Sequence, residues 1–123
     1  MSRRAVIIDD DKVTLALLSR ALEIAGFSVA SASDGQIGLD LVVREAPDLV
    51  MTDLLLPRLD GIGLCSAVRR DPRLGHTRIV IMTALKNFAL QRQARDCGGD
   101  AFLEKPFQPE ALVQILKRLF PEI

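Results

Sequence analysis

Apolar and polar residues alternate along the chain with two different periods, and these periods predict five strands and five helices. Short runs rich in β-branched residues predict strands that are largely buried. Longer segments with apolar residues three or four positions apart predict amphipathic helices, and glycine or proline residues close several of them. The strands are predicted at residues 4–8, 27–32, 48–53, 79–83 and 100–104, and the helices at residues 12–25, 36–45, 61–70, 87–97 and 109–120.

The regular alternation of strand and helix indicates the fold class. Each strand-plus-helix unit takes roughly 20–25 residues, a spacing typical of a parallel sheet whose helices cover both faces. The chain has 123 residues and contains no linker, repeat or low-complexity segment. A single α/β domain over residues 1–123 is therefore expected, with no second domain attached.

The composition argues against several other classes of protein. Hydrophobic residues make up 49% and charged residues 26%, which is typical of a globular chain. Sixteen acidic and sixteen basic residues cancel, so neither a nucleic acid nor a membrane is indicated as a direct partner. No apolar run approaches the roughly 20 residues that span a bilayer. Cys65 and Cys97 match no metal-binding or redox spacing and are interpreted as free thiols in a reducing cytoplasm.

Four of the five predicted strands are followed by a polar or charged side chain. The first strand leads into Asp9 and Asp10, the third ends in Asp53, the fourth ends in Thr83, and the fifth precedes Lys105. Each could be incidental, since an Asp at a strand end is often the cap of the next helix. Their joint occurrence matters because ligands of an open parallel sheet bind beyond the carboxyl ends of its strands. The five side chains are therefore expected to form one site.

The chemistry of this set indicates a phosphoryl group and a hard cation. Clustered carboxylates repel one another and raise one another's pKa unless a cation lies among them. Oxygen ligands suit Mg²⁺, which keeps several waters and takes the rest of its ligands from one or two carboxylates and a phosphate. In this hypothesis Asp53 is the nucleophile, Thr83 donates a hydrogen bond to the phosphoryl group, and Lys105 neutralises its charge.

Four short motifs occur in order along the chain: Ile7-Ile8-Asp9-Asp10-Asp11, Asp53 with Pro57 and Asp60-Gly61, Thr83-Ala84, and Lys105-Pro106-Phe107. With these motifs the chain resembles the receiver domain of bacterial two-component response regulators, the CheY-like superfamily, essentially from end to end. The resemblance implies a flavodoxin-like, doubly wound (βα)₅ sandwich with strand order 2-1-3-4-5.

The resemblance also assigns roles to individual residues. It implies that Asp53 accepts a phosphoryl group from a sensor histidine kinase or a histidine phosphotransfer protein. Mg²⁺ would be held by Asp9, Asp10, Asp53 and the main-chain carbonyl of Leu55. Thr83 and Lys105 would contact the phosphoryl group, and the Lys105–Pro106 peptide bond would be cis.

A second set of implications concerns signalling. Thr83 and Phe102 would act as the switch, and the face of the fourth helix, fifth strand and fifth helix would bind a downstream protein. The protein is expected to be a monomer or a weak dimer and to catalyse nothing beyond its own phosphorylation and dephosphorylation. The resemblance also places Leu55 and Leu85 beside the path of the hydrolytic water, and because both are apolar we hypothesise that they prolong the life of the acyl phosphate.

Two alternatives remain at this point. Asp9-Asp10-Asp11-Lys12-Val13 also fits the signature of haloacid dehalogenase-like phosphatases, in which Asp9 would be the nucleophile and Asp11 the acid–base. That interpretation leaves Asp53 unexplained. The other alternative is a receiver-shaped binding module that never uses phosphate.

The four arginines at positions 69, 70, 73 and 78 are interpreted as a solvated face, with an acidic partner as the alternative.

Overall fold

A computed structural model describes residues 3–84 and 88–123 as one parallel sheet with helices on both faces. The strands are β1 (Arg3–Ile8), β2 (Phe27–Ala32), β3 (Leu49–Asp53), β4 (Arg78–Thr83) and β5 (Ala101–Glu104). The helices are α1 (Lys12–Ile24), α2 (Gly35–Glu45), α3 (Gly61–Arg70), α4 (Phe88–Asp96) and α5 (Pro109–Leu119). The strand order is β2-β1-β3-β4-β5, so the predicted flavodoxin-like fold is confirmed.

The element boundaries agree with the sequence predictions to within one or two residues, with one omission. A short 3₁₀ helix, Pro72–Leu74, lies between α3 and β4 and was not predicted. Asp71 caps it by accepting a hydrogen bond from the Arg73 amide at 3.0 Å. The predicted start of the fourth helix, Asn87, lies outside the described residues. No helix in the described part of the chain has the length and apolarity that crossing a membrane requires.

The sheet is buried on both faces, and alternate residues of each strand point to opposite sides. One core cluster lies under α1 and α5, and the other lies under α2, α3 and α4. The strand residues of the first cluster are Ala5, Ile7, Phe27, Leu49, Met51, Val80, Met82, Ala101 and Leu103. Those of the second are Val6, Ile8, Ala32, Val50, Ile79 and Ile81. This packing leaves the carboxyl ends of the strands as the polar edge of the sheet.

Three helices begin at an aspartate whose carboxylate accepts a hydrogen bond from the first turn. Asp11 accepts from the Val13 amide at 3.2 Å. Asp34 accepts from the Ile37 amide at 2.8 Å, and Asp60 accepts from the Gly63 amide at 2.8 Å. Such caps satisfy amides that the helix itself cannot pair. Not every carboxylate near the sheet edge is therefore available for chemistry.

The loop after β3 packs directly on the start of α2. The Gly35 amide donates to the Pro57 carbonyl at 3.1 Å, and a Cβ added at Gly35 would lie 1.6 Å from the Leu59 carbonyl oxygen. The Gly61 amide donates to the Leu54 carbonyl at 2.8 Å. The hydrogen bond from Gly61 to Leu54 thus closes the two ends of the loop that follows Asp53, and the start of α2 holds its middle at a contact that requires glycine at position 35.

Gly35→Ala is expected to lower the free energy of unfolding by at least about 2 kcal/mol, because the added methyl group collides with backbone rather than with a movable side chain. Gly75→Ala is the control, since its nearest neighbour would be the Pro72 carbonyl at 3.7 Å and its φ is −61°. Urea unfolding of the two variants measures the difference. Equal stabilities would contradict the tight packing of α2 on this loop.

Candidate functional site

Asp9 follows β1 and is completely buried, yet both oxygens of its carboxylate are hydrogen-bonded. Its Oδ1 accepts from the Asp11 amide at 2.9 Å, and its Oδ2 accepts from the Lys105 Nζ at 2.5 Å. The Asp9 amide donates to the Ala32 carbonyl at the end of β2 at 3.1 Å. An unpaired buried carboxylate would be very costly, and the Lys105 ammonium supplies the partner that offsets this cost.

The three consecutive aspartates after β1, at positions 9–11, have different surroundings. Asp10 is exposed and lies beside Asp9 at the sheet edge. Asp11 accepts from the Thr14 hydroxyl at 2.7 Å as well as from the Val13 amide, and these hydrogen bonds lower the pKa of its carboxyl. Asp11 is therefore occupied as the cap of α1. This is unfavourable for the phosphatase alternative, which needs Asp11 as an acid–base.

Asp53 ends β3, the central strand of the sheet, and keeps partial access to solvent. Its side chain is 16% exposed, whereas that of Asp9 is 0% exposed. Its Oδ2 accepts from the Lys105 Nζ at 3.1 Å, and its Oδ1 accepts a longer hydrogen bond from the Leu55 amide at 3.4 Å. The Leu55 side chain is 56% exposed. Asp53 thus presents a carboxylate at the sheet edge while it stays paired with a cation.

Lys105 follows β5 and joins the other strand ends. Its amide donates to the Thr83 carbonyl at 2.9 Å, and its Nζ bridges Asp9 and Asp53. Burial of the ammonium acts to lower its pKa, but hydrogen bonds and charges of the two carboxylates outweigh burial and raise the pKa of Lys105. The Lys105–Pro106 peptide bond is cis, as the resemblance implied.

The structure brings Asp9, Asp10 and Asp53 together, with one oxygen from each lying within 4.8 Å of the others. Oxygen donors at this spacing suit a hard divalent cation. Thr83 ends β4 next to this group and is 4% exposed. These four residues and Lys105 are the set that the strand-end pattern predicted.

Phe102 lies away from the carboxylates, on the strand β5. It is half-buried and packs against the core cluster under α3 and α4. The Arg95 guanidinium lies 5.5 Å from the centre of its ring. Leu85, the other apolar residue named beside the site, lies outside the described residues.

Sequence reasoning missed a groove beside the acidic cluster. Its volume is about 360 Å³, and its walls are Asp11, Thr14 and Leu17 of the α1 region together with Ala84, Lys105, Pro106 and Phe107. Leu17 is 65% exposed. The apolar Leu17 on the outer face of α1 was the signal that the sequence offered for this groove. The other residues that line the groove come from segments distant in sequence, so the groove itself could not be predicted. We call this feature the α1–β5 groove.

The chain matches a known protein family over most of its length. The profile of the response regulator receiver domain matches residues 5–117. The chain belongs to the response regulator receiver domain family. Family membership makes the chain part of two-component signalling and a CheY-like protein, and it accounts for the clustering of carboxylates at the end of β3.

Curated relatives are similar over nearly the whole chain but are themselves longer. The DNA-binding dual master transcriptional regulator RpaA of Synechocystis sp. is 40% identical over 116 residues, which is 94% of this chain and 48% of that protein. Response regulator MprA of Mycobacterium tuberculosis is 34% identical over 126 residues, 99% of this chain and 54% of that protein. The chain therefore spans about half the length of the curated relatives it matches.

Solved structures agree with the fold along the full receiver. The chemotaxis response regulator CheY4 of Vibrio cholerae superposes with a TM-score of 0.90 at 26% identity, covering 98% of this chain and 100% of that one. A CheY-like receiver domain protein of Methanospirillum hungatei gives a TM-score of 0.89 at 26% identity, covering 99% and 96%.

Lys105→Met tests the electrostatic role of Lys105, because it removes the ammonium and leaves two carboxylates without a cation. Without divalent cations, the free energy of unfolding at neutral pH is expected to fall by about 2 kcal/mol, less than for a fully buried pair because Lys105 keeps partial solvent access.

Urea unfolding at several pH values measures this difference, and Lys117→Met on the exposed face of α5 is the control. In the wild type, the raised pKa of Lys105 means that its contribution is complete at neutral pH and is lost only as the pH rises through that folded-state pKa. A loss that does not vary with pH would show that Lys105 acts by packing alone.

Proposed function

We propose that Asp53 is the phosphoacceptor of this receiver. The proposal rests on a difference in solvent access between Asp9 and Asp53, the two carboxylates that share Lys105. Asp9 is fully enclosed with both oxygens engaged, whereas Asp53 is 16% exposed and has one oxygen held only by a 3.4 Å hydrogen bond. A nucleophile must reach a donor, and of these two carboxylates Asp53 is the one that can.

The donor in this proposal is a phosphohistidine of a sensor kinase or a histidine phosphotransfer protein. An oxygen of Asp53 attacks phosphorus, the P–N bond breaks, and the imidazole nitrogen of the donor keeps the electron pair. Lys105, 3.1 Å from the attacking carboxylate, lies where it can neutralise charge on the transferred group. The α1–β5 groove, with Leu17 at its wall, gives a helical donor an apolar surface beside the acceptor.

Mg²⁺ is the cofactor that the donor set fits. Asp9, Asp10 and Asp53 offer carboxylate oxygens close together, and the main-chain carbonyl of Leu55 follows in the same loop. When bound, the ion would neutralise negative charge on the phosphoryl group during transfer. Asp9 and Asp53 would orient the site, and Asp10, which is exposed, would complete it.

The output of the proposed reaction is a change in protein binding. Thr83 would turn toward the phosphoryl group, and Phe102 would report the change on the face formed by α4, β5 and α5. A covalent group that adds charge biases an equilibrium between two conformations only through different contacts in each. The proposal includes a downstream protein partner, a monomer or weak dimer, action in the cytoplasm and no enzymatic turnover of other substrates.

A nucleic-acid partner is not part of the proposal for this chain. One relative is named as a DNA-binding regulator, but the chain covers 48% of that protein. Acidic and basic residues cancel in number here, so the receiver has no net charge to attract a phosphate backbone.

Asp53→Asn is expected to abolish phosphorylation by acetyl phosphate and Mg²⁺, because the amide cannot act as the nucleophile. Intact-protein mass spectrometry should find one added phosphoryl group on the wild type and on the control Asp40→Asn, and none on Asp53→Asn. A phosphorylated Asp53→Asn variant would contradict the assignment. No phosphorylation of the wild type would favour the phosphate-independent binding module. Multiple turnover of phosphate esters that depends on Asp9 would favour the phosphatase.

Leu55→Asn is expected to shorten the lifetime of the acyl phosphate severalfold. In this hypothesis the apolar Leu55 side chain, whose own backbone amide donates to Asp53 at 3.4 Å, shields the acyl phosphate, whereas the side-chain amide of Asn can hold and orient the attacking water. The decay of phosphorylated protein after removal of acetyl phosphate gives the rate, and Leu55→Met is the apolar control. An unchanged or longer lifetime in Leu55→Asn would refute the shielding hypothesis. The same test at Leu85 concerns a residue outside the described range.

A further inference from the structure

Two thiols meet where α3 faces the end of α4, away from the acidic cluster. Cys65 lies in α3 and is completely buried, and Cys97 directly follows α4 and is half-buried. The Cys65 thiol donates to the Cys97 carbonyl at 3.3 Å, and the Cys97 thiol donates to the Ala94 carbonyl at 3.0 Å. Both cysteines are free thiols, and the proposed phosphoryl chemistry uses neither.

The two side chains also interact with each other. Burial raises the pKa of the Cys65 thiol, and hydrogen bonding with the neighbouring Cys97 thiol raises that pKa further. The contact of the Cys65 sulfur with the Cys97 backbone carbonyl places the two residues side by side.

The turn that carries Cys97 is held against α3 at a second point. Arg69, one helical turn after Cys65, donates from Nε to the Gly98 carbonyl at 2.9 Å and from Nη2 to Asp100 Oδ2 at 2.6 Å. Gly98 has a φ of +106°, and a Cβ there would lie 2.6 Å from the Arg69 side chain. The turn therefore keeps Cys97 next to Cys65 in the folded protein.

We propose that Cys65 and Cys97 form a reversible intramolecular disulfide when the protein encounters a peroxide. The Cys97 thiol gives up its proton and its sulfur attacks a peroxide oxygen; the O–O bond breaks, sulfenic acid forms at Cys97, and the departing hydroxide takes up the proton and leaves as water. The Cys65 sulfur then attacks the Cys97 sulfur, the S–O bond breaks, and the hydroxide leaves with the Cys65 proton as a second water. The net reaction is two thiols and hydrogen peroxide giving one disulfide and two waters.

Exposure determines the order of these steps. Small oxidants reach the half-buried Cys97, whereas Cys65 has no accessible surface and stays largely protonated. Cys65 is therefore the resolving residue. Its burial also prevents it from pairing with another molecule, so the expected product is a linked monomer.

The disulfide would connect α3 to the end of α4 and close a loop that contains β4 and Thr83. Such a link restricts the unfolded chain and is expected to raise Tm. It would also restrict movement of α4 relative to α3. The proposal does not depend on phosphorylation at Asp53, and it adds an oxidant-sensitive constraint to the receiver.

The first test uses the whole wild-type chain treated with a small excess of hydrogen peroxide. Thiol labelling under denaturing conditions should find both thiols lost, peptide mapping should find Cys65 linked to Cys97, and dithiothreitol should restore both thiols. Non-reducing electrophoresis should find a monomer. A product in which Cys65 stays free, or in which Cys97 links two chains, would overturn the proposal.

Two variants test the order of the steps. In Cys65→Ser, Cys97 should form a sulfenic acid that dimedone traps, because its partner sulfur is absent. In Cys97→Ser, Cys65 should resist peroxide in the folded protein. Rapid oxidation of Cys65 in folded Cys97→Ser would contradict its role as the resolving residue. Because peptide mapping of the wild type decides whether the disulfide forms, the proposal stays testable even if either variant folds poorly.

Discussion

The bridge from the Lys105 ammonium to the carboxylates of Asp9 and Asp53 is the interaction on which the sheet edge depends. Two carboxylates about 5 Å apart repel by roughly 3 kcal/mol at an effective dielectric constant near 20. Asp9 is fully buried, so water cannot screen its charge. The bridge joins the ends of β1, β3 and β5, which are not all neighbours in the sheet. It therefore makes the cluster of carboxylates compatible with a stable fold.

The sequence was sufficient for the elements because hydrophobic periodicity is local. Buried strands and amphipathic helices each leave a pattern within one segment, and the five strands were found where they were predicted. The strand order could not be predicted in this way. It depends on which strands pair, and hydrophobic periodicity carries no information about pairing. The predicted strand order therefore came from the family resemblance. The 3₁₀ helix at Pro72–Leu74 was missed because it is too short to show a period.

Roles of individual aspartates were harder to predict than their location. Asp9, Asp11 and Asp53 are chemically identical, and each follows or nearly follows a strand. Asp9 is fully buried and paired with the Lys105 ammonium, Asp11 caps a helix, and Asp53 shares the same ammonium but keeps 16% of its side chain exposed. Only the burial and the partner of each carboxylate separate them, and both depend on distant parts of the chain. Arg69 shows the same limit, because its interpretation as part of a solvated face is wrong. It is half-buried and pairs with Asp100, 31 residues later.

The proposed reaction changes the charge balance that Lys105 now maintains. Phosphorylation would convert the Asp53 carboxylate into an acyl phosphate and move its negative charge outward onto phosphoryl oxygens. Asp9 would still require a cation as its partner, because its carboxylate stays buried. The ammonium would then be shared between a fixed buried carboxylate and a larger, more exposed anion. Because the Lys105 amide also donates to the Thr83 carbonyl, a shift of Lys105 would act directly on the end of β4. The same residue that stabilises the resting site is thus positioned to transmit its modification.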